Sequence, residues 1–218
     1  MADKTQIAKR VAQELQDGML VNLGIGLPTM VASYLPEGIQ CFFQSENGII
    51  GMAGLAEAGL ANEDLSDAGG SPISAIPGAA AFDSCMSFGL IRGGHLDVTV
   101  LGGLQVDEEG LLANWMVPGK MVPGMGGAMD LVSGAKTVIV AMTHTAKGNP
   151  KIVKKCNLPL TSARRVDLIV TELAVIEPTD EGLVLRETAP GVSVEDVLAA
   201  TEAELIVPAE TEARVAAG

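Results

Sequence analysis

The stretch Met19-Leu20-Val21-Asn22-Leu23-Gly24-Ile25-Gly26-Leu27-Pro28-Thr29 passes from a short apolar run into a glycine turn and then into a helical pattern that continues through Tyr34. A strand, a tight turn and a helix in direct succession form the repeating unit of an α/β sheet. Upstream, Ile7, Ala8, Val11, Ala12 and Leu15 recur on one stripe while Lys4, Lys9, Arg10 and Glu14 fall elsewhere. That spacing predicts an amphipathic helix that Thr5 can cap and Gly18 can end. Downstream, Gln40 to Gln44 reads as a second strand, closed by Ser45-Glu46-Asn47-Gly48.

The alternation continues along the chain. Ile73 to Ile76 reads as a strand, Phe82 to Ile91 as a helix broken by Arg92-Gly93-Gly94, and Asp97 to Leu101 as a strand again. Runs at Thr137 to Met142, Leu168 to Thr171, Leu173 to Ile176 and Leu183 to Leu185 are rich in β-branched residues and have the length of buried strands. Ser193 with Asp196 gives a helix start of capping-box type, with Asp in place of the usual Glu or Gln, and Glu204 to Val207 offers a closing strand. These elements predict an α/β fold with a mainly parallel sheet and helices on both faces, one domain over residues 1–218. Between Leu101 and Asp130 lies a glycine-rich stretch holding Trp115, which reads as a long ordered loop of the kind that commonly carries function.

The chain has 218 residues, with 27 acidic against 14 basic side chains and a formal net charge of −13. So acidic a surface repels phosphate backbones and anionic lipid, and four Phe, one Trp and one Tyr leave little to stack on bases, so neither nucleic acid nor membrane is expected as a partner. No apolar run approaches the roughly 20 residues that cross a bilayer. The opening residues carry no secretory or transit signal, and Cys41, Cys85 and Cys156 are odd in number and widely spaced, so reduced thiols in the cytoplasm are expected. His95 and His144 stand apart from any cysteine pair, and no metal site is expected.

Ligands of open α/β sheets sit outside the carboxyl ends of the strands, so three features following strands matter most. Gly24-x-Gly26-x-x-Thr29 nearly matches a dinucleotide fingerprint, and Glu46, twenty residues past Gly26, sits where an acid would hold a ribose hydroxyl. Thr29 replaces the third small residue and Pro28 removes a helix N-terminal amide, so a turn that merely packs strand against helix competes with that reading. Glu46 itself is either a solvated charge in an Asn-Gly turn or a carboxylate presented at the catalytic edge of the sheet. Gly126-Gly127, ahead of a plausible helix, either expose backbone N–H groups to an anion or an oxyanion or allow a close backbone crossing.

Five blocks taken together carry a resemblance. They are Asn22-Leu23-Gly24-Ile25-Gly26-Leu27-Pro28-Thr29, Ser45-Glu46-Asn47-Gly48, Ile91-Arg92-Gly93-Gly94-His95-Leu96-Asp97, Leu112-Ala113-Asn114-Trp115 and Gly126-Gly127-Ala128-Met129-Asp130. In this order, over about Ile7 to Thr201, the chain resembles the family I CoA-transferases, and within them the β subunits of 3-oxoacid (acetoacetate-type) enzymes. The resemblance implies a three-layer α/β/α fold of the ribose-5-phosphate isomerase and CoA-transferase type. It implies Glu46 as the nucleophile, Gly126 and Gly127 as the oxyanion site with Asn47 as a weaker candidate, and Gly24 and Gly26 as a loop near the active site. It also implies an α-type partner chain in a heterodimer or heterotetramer, with acyl-CoA and small carboxylic acids as substrates and no permanently bound cofactor.

The chemistry asks for such residues. A carboxylate is ionised at neutral pH and attacks without a separate base, and the tetrahedral intermediates that follow need amide donors. Pro118 to Met125 resembles the acetoacetate-active branch, with Met121, Met125 and Met129 as candidate liners of an acyl pocket and Lys120 and Arg92 as the nearest cations. Two other readings remain: an NAD-binding oxidoreductase domain using the Gly24-x-Gly26 turn and Glu46, and a non-catalytic or sugar-phosphate-binding module on the same fold. His95 and His144 read as structural histidines.

Overall fold

A computed structural model describes residues 4–57, 59, 61–119 and 124–211. Helix α1 (Lys4–Ala12) leads into β1 (Leu20–Leu23), a 3₁₀ helix (Leu27–Tyr34), β2 (Phe42–Ser45), β3 (Ile49–Leu55), β4 (Ile73–Ala81), α2 (Ser84–Arg92), β5 (Val98–Leu101), β6 (Gln105–Asp107), β7 (Leu112–Ala113) and α3 (Ala128–Gly134). There follow β8 (Thr137–Ala141), β9 (Thr145–Ala146), β10 (Asn149–Pro150), β11 (Ile152–Val153), β12 (Leu168–Val170), β13 (Ala174–Thr179), β14 (Gly182–Thr188), α4 (Val194–Ala200) and β15 (Leu205–Ile206).

A ten-stranded sheet in the order β15-β14-β13-β12-β8-β5-β1-β2-β3-β4 forms the middle layer. From β12 to β2 every pairing is parallel, and the antiparallel β13–β14 and β3–β4 hairpins extend it on the two sides. Strand alternation sends side chains to two separate cores. Val138 and Val140 of β8 join Ile91, Leu131, Val132 and Val197 beneath α2, α3 and α4. Ile139 and Ala141 of the same strand face the other way, onto Ile7, Val11 and Val31 of α1 and the 3₁₀ helix. The sheet buried between helical layers is the expected three-layer α/β/α arrangement.

Local departures from the sequence reading have physical causes. Helix α1 covers Lys4–Ala12, with Thr5 inside it and not at its cap, and the next residues tighten into i→i−3 bonds, Glu14 N–H to Val11 O at 3.0 Å among them. Leu15 is buried all the same. The helical pattern after Gly26 is 3₁₀ over all eight residues. Strand β3 hides behind its glycines: Gly51 (φ +94°) and Gly54 (φ +116°) take conformations that side chains avoid and coincide with shifts in the β3–β4 register. The stretch from Leu101 to Asp130 is not all loop, because β6 and β7 pair with each other and β6 pairs with β11 in a separate three-stranded sheet. The capping box at Ser193 and Asp196 forms as expected.

Candidate active site

Glu46 follows the last residue of β2 at the carboxyl edge of the parallel strands, in the turn that reverses into β3. The turn is tight because Gly48, at φ +128°, donates its N–H to Ser45 O at 3.0 Å and accepts from the Phe82 N–H at 2.9 Å. A methyl group at Gly48 would stand 2.0 Å from Phe82 O, so only glycine fits. The half-buried Glu46 carboxylate then meets the other end of the site: Oε1 accepts the Gly127 N–H at 2.9 Å. A Cβ at Gly127 would lie 2.7 Å from Oε2 and 2.9 Å from Oε1, and one at the neighbouring Gly126 (φ +56°) would lie 3.4 Å from Oε1.

Gly127 is held there by the packing of α3 on α2. A Cβ on Gly134 would meet Ile91 O at 2.2 Å, so the two helices cross with backbone nearly in contact. Arg92 at the end of α2 donates to Asp130 in the first turn of α3 at 2.6 Å. The pair is largely exposed and adds orientation more than energy. It also explains why two of the blocks recognised in the sequence belong together, and it assigns Arg92 a structural partner.

Below Glu46 a polar chain runs through the buried sheet. Asn22 donates to Gln44 Oε1 at 2.8 Å, Gln44 donates to Ser87 Oγ of α2 at 2.9 Å, and Thr99 donates to Asn22 Oδ1 at 3.4 Å. All four residues are buried. Gln44 and Glu46 are two residues apart, so this network fixes the strand face from which Glu46 projects. None of these network residues stood out in the sequence as functional. Polar residues inside otherwise apolar strands were the available signal.

The remaining site candidates surround Glu46 in different ways. Gly24 follows the last residue of β1, one strand over, where its N–H reaches Val100 O at 2.8 Å and a Cβ would press on Val100 O at 3.2 Å. Gly26, at φ +89°, precedes the 3₁₀ helix and receives both the N–H and the hydroxyl of Thr29 on its carbonyl. Asn47 is exposed and its side-chain amide donates to Ser66 O at 2.8 Å, which spends it on loop anchoring. The Ala68 N–H to Ser45 Oγ bond at 2.9 Å ties down the same loop on the other side of Glu46, and Asp67 Oδ1 braces it from within by accepting from Gly69 and Ser71. Lys120, Met121, Val122 and Pro123 lie outside the described residues, whereas Met125 is half-buried and Met129 exposed.

The dinucleotide reading does not survive this geometry. A 3₁₀ helix after Gly26 does not present the aligned first-turn amides that bind a pyrophosphate, and the Glu46 carboxylate is turned to Gly127. His144 is fully buried, its ring nitrogens within 2.9 Å of Thr171 Oγ1 and 2.8 Å of Thr201 Oγ1, and burial pushes its pKa down to about 4. His95 is exposed and ends α2 through its N–H to Leu90 O at 3.1 Å. Among the described residues no three His, Cys, Asp or Glu side chains group as metal ligands, and no helix is long and apolar enough to cross a membrane.

Known proteins resemble this chain in sequence and in fold. A family model described as Coenzyme A transferase matches residues 4–200. The chain is 59% identical over 211 residues to the beta subunit of the acetate CoA-transferase of Escherichia coli (strain K12), covering 96% of each chain. It is 50% identical over 202 residues to one of the subunits of the succinyl-CoA:3-ketoacid coenzyme A transferase of Helicobacter pylori (strain ATCC 700392 / 26695), covering 92% of this chain and 97% of that one. The crystal structure of an acyl-CoA transferase apoenzyme from Escherichia coli O157:H7 superposes with a TM-score of 0.74 at 23% identity, over 95% of this chain and 42% of the other, a likeness of fold.

Proposed function

The chain belongs to the coenzyme A transferase family, and from that premise we propose that it moves CoA between an acyl-CoA and a 3-oxoacid such as acetoacetate, through a covalent glutamyl-CoA thioester at Glu46. It is the β-type chain of a transferase of the acetate or succinyl-CoA:3-ketoacid type. The reading includes an α-type chain that completes the site, with a succinyl-, acetyl- or butyryl-CoA donor and a cytoplasmic location, where the free cysteines Cys41, Cys85 and Cys156 stay reduced. No resident cofactor is needed for this chemistry, in which CoA is a substrate.

In the first half-reaction Oε2 of Glu46 attacks the thioester carbonyl, the C–S bond breaks, and CoA leaves as thiolate from an acyl-glutamyl anhydride. The thiolate then attacks Cδ of Glu46, and the bond from Cδ to the bridging oxygen breaks. The free acid departs with one former Glu46 oxygen, and the glutamyl-CoA thioester remains. A second carboxylate runs the same steps in reverse. The observation that carries the reading is the Gly127 N–H on Glu46 Oε1. When sulfur adds to Cδ, negative charge grows on Oε1, where that donor already stands at hydrogen-bond distance. The amide therefore serves the intermediates centred on the glutamyl carbon, and the Gly126 backbone beside it is the companion candidate.

The test is mass spectrometry of the complex with its α-type partner after mixing with acetoacetyl-CoA. A CoA-sized adduct on the peptide containing Glu46 is expected. An adduct on another residue, or none while transfer proceeds, refutes the covalent step.

A further inference from the structure

Most of the sheet lies between helical layers, but its last ribbon does not. In β4 only Ile73 is buried, and β3 is exposed from Ala53 onward. Successive residues of a strand point to opposite faces, so exposure of one after another leaves both faces of the ribbon uncovered. The ribbon carries no charged side chain, and it leaves Leu55 (74% exposed) and Ile76 (37% exposed) in solvent. β4 also ends the sheet, so no further strand pairs with its outer side among the described residues.

The far end of the ribbon is tied back to the site. Gly51 allows a sharp fold, since a Cβ there would meet Ala79 Cβ at 2.8 Å and Ile76 Cγ1 at 3.1 Å. Leu55 pairs with Ile73, whose N–H reaches Leu65 O at 3.2 Å, and the next residue, Ser66, accepts the Asn47 amide beside Glu46. In the same loop a Cβ at Gly69 would touch Ile25 Cδ1 at 3.4 Å, and Ile25 is itself 74% exposed. One loop therefore links Leu55 and Ile25 to the glutamate turn. The segment joining β3 to β4 is also acidic. Its Glu57, Glu63 and Asp64 are exposed and form no ion pair among the described residues, and no Lys, Arg or His occurs between Arg10 and Arg92.

An apolar centre with a charged border is the anatomy of a protein interface, and the single sign of that border selects the occupant. Two copies of this chain would bring like-charged loops together. Pro77 and the register shifts of the ribbon also deny a second β4 a continuous edge to pair with. Resting on the reading of this chain as the β-type half of a CoA-transferase, we propose that the β3–β4 ribbon and its acidic loop seat the α-type partner, which meets them with apolar side chains framed by lysine or arginine. A partner seated there stands beside Glu46, because Ser45 and Asn47 hold the same loop against the glutamate turn.

Capture of this full-length chain by its immobilised α-type partner, read as association and dissociation rates, tests the face without relying on turnover. Leu55→Asp and Ile76→Asp are each expected to speed dissociation roughly tenfold or more, whereas Leu55→Met, still apolar, should not. Leu198→Asp, on an exposed leucine of α4, should leave both rates where they were. Charge reversal by Glu63→Lys with Asp64→Lys should slow association roughly threefold at low salt, and the difference should close as salt is added. Rates unmoved by Leu55→Asp and Ile76→Asp together, an equal effect of Leu198→Asp, or faster association after charge reversal overturns the proposal. So does a failure of the partner to capture the unaltered chain, or capture by a second copy of this chain that Leu55→Asp abolishes. The adduct at Glu46 is measured separately. Ribbon-dependent capture in a complex that takes no adduct keeps this face and removes the covalent mechanism, and an adduct with ribbon-independent capture does the reverse.

Discussion

The backbone N–H of Gly127 donates to Oε1 of Glu46 across 2.9 Å, although 81 positions separate the two residues in the chain. One comes from the end of a strand and the other from the start of a helix, and the α2–α3 crossing at Gly134 brings them together. In the proposed mechanism this contact orders the carboxylate before substrate arrives, which leaves little reorganisation for the reacting complex.

Replacing the proposed nucleophile should remove the chemistry and spare the fold. Glu46→Ala is expected to lower transfer by roughly ten-thousandfold or more. Because Glu46 is half-buried in a turn that Gly48 and Phe82 already close, the free energy of unfolding in urea should move by less than about 1 kcal/mol. Paired assays of turnover and unfolding check both halves, and a variant that keeps transferring CoA contradicts the assignment.

Gly127→Ala tests the contact itself. At φ −84° the backbone accepts alanine, and the strain falls on the Glu46 carboxylate, which the new methyl group would approach within 2.7 Å. Transfer should fall by about a hundredfold or more. The stability cost should largely vanish when the same change is made in the Glu46→Ala background, because the obstructed group is then absent. A double-mutant cycle on unfolding free energy reads this coupling.

Gly48→Ala should behave in the opposite way, as a folding defect. The added methyl group would stand 2.0 Å from the Phe82 carbonyl, and φ +128° is a conformation that alanine avoids. A loss of at least about 2 kcal/mol is expected, visible as lowered soluble yield and an earlier thermal midpoint. Activity per folded molecule then reports how far Glu46 has shifted.

The polar chain beneath the site gives a third kind of outcome. Gln44→Leu takes the donor from the buried Ser87 hydroxyl and leaves the Asn22 amide only its longer bond to the residue-44 carbonyl at 3.3 Å, at a cost of about 1–3 kcal/mol. If the network also orients Glu46, kcat should fall more than KM changes. A variant destabilised with unchanged kcat would confine Gln44 to a packing role.

These contrasts show what the amino-acid order made legible. Period and turn chemistry locate β1, β2, β5 and β8, because buried parallel strands write mostly apolar runs, here broken by Asn22, Gln44, Ser45 and Thr99. Glu46 was nameable as a strand-end acid, and choosing it over a solvated turn charge needed the five blocks in order. The Gly127 partner was visible only as a glycine pair, since contact across 81 positions depends on the helix crossing. β3 was missed because its register shifts are made by Gly51 and Gly54, residues that locally argue against a strand. The Asn22–Gln44–Ser87–Thr99 chain draws on three strands and a helix, and no local pattern brings those four together.

His144 sets a pH limit on the fold. Buried between Thr171 and Thr201, it stays neutral down to about pH 4, whereas an exposed histidine of the unfolded chain takes up its proton near 6.5. Above pH 6.5 neither state carries that proton and the group is indifferent. Between 6.5 and 4 the unfolded chain binds more protons than the folded one, so stability falls as the pH falls, by up to about 3 kcal/mol from this group. Unfolding free energies measured at steps from pH 7.5 to 4 should show that slope. Substitution by Gln, which keeps hydrogen-bonding capacity toward both threonines and cannot titrate, should flatten it within this window even if His144→Gln is less stable at pH 7.5. An unchanged slope in the variant would assign the acid sensitivity to the carboxylates instead.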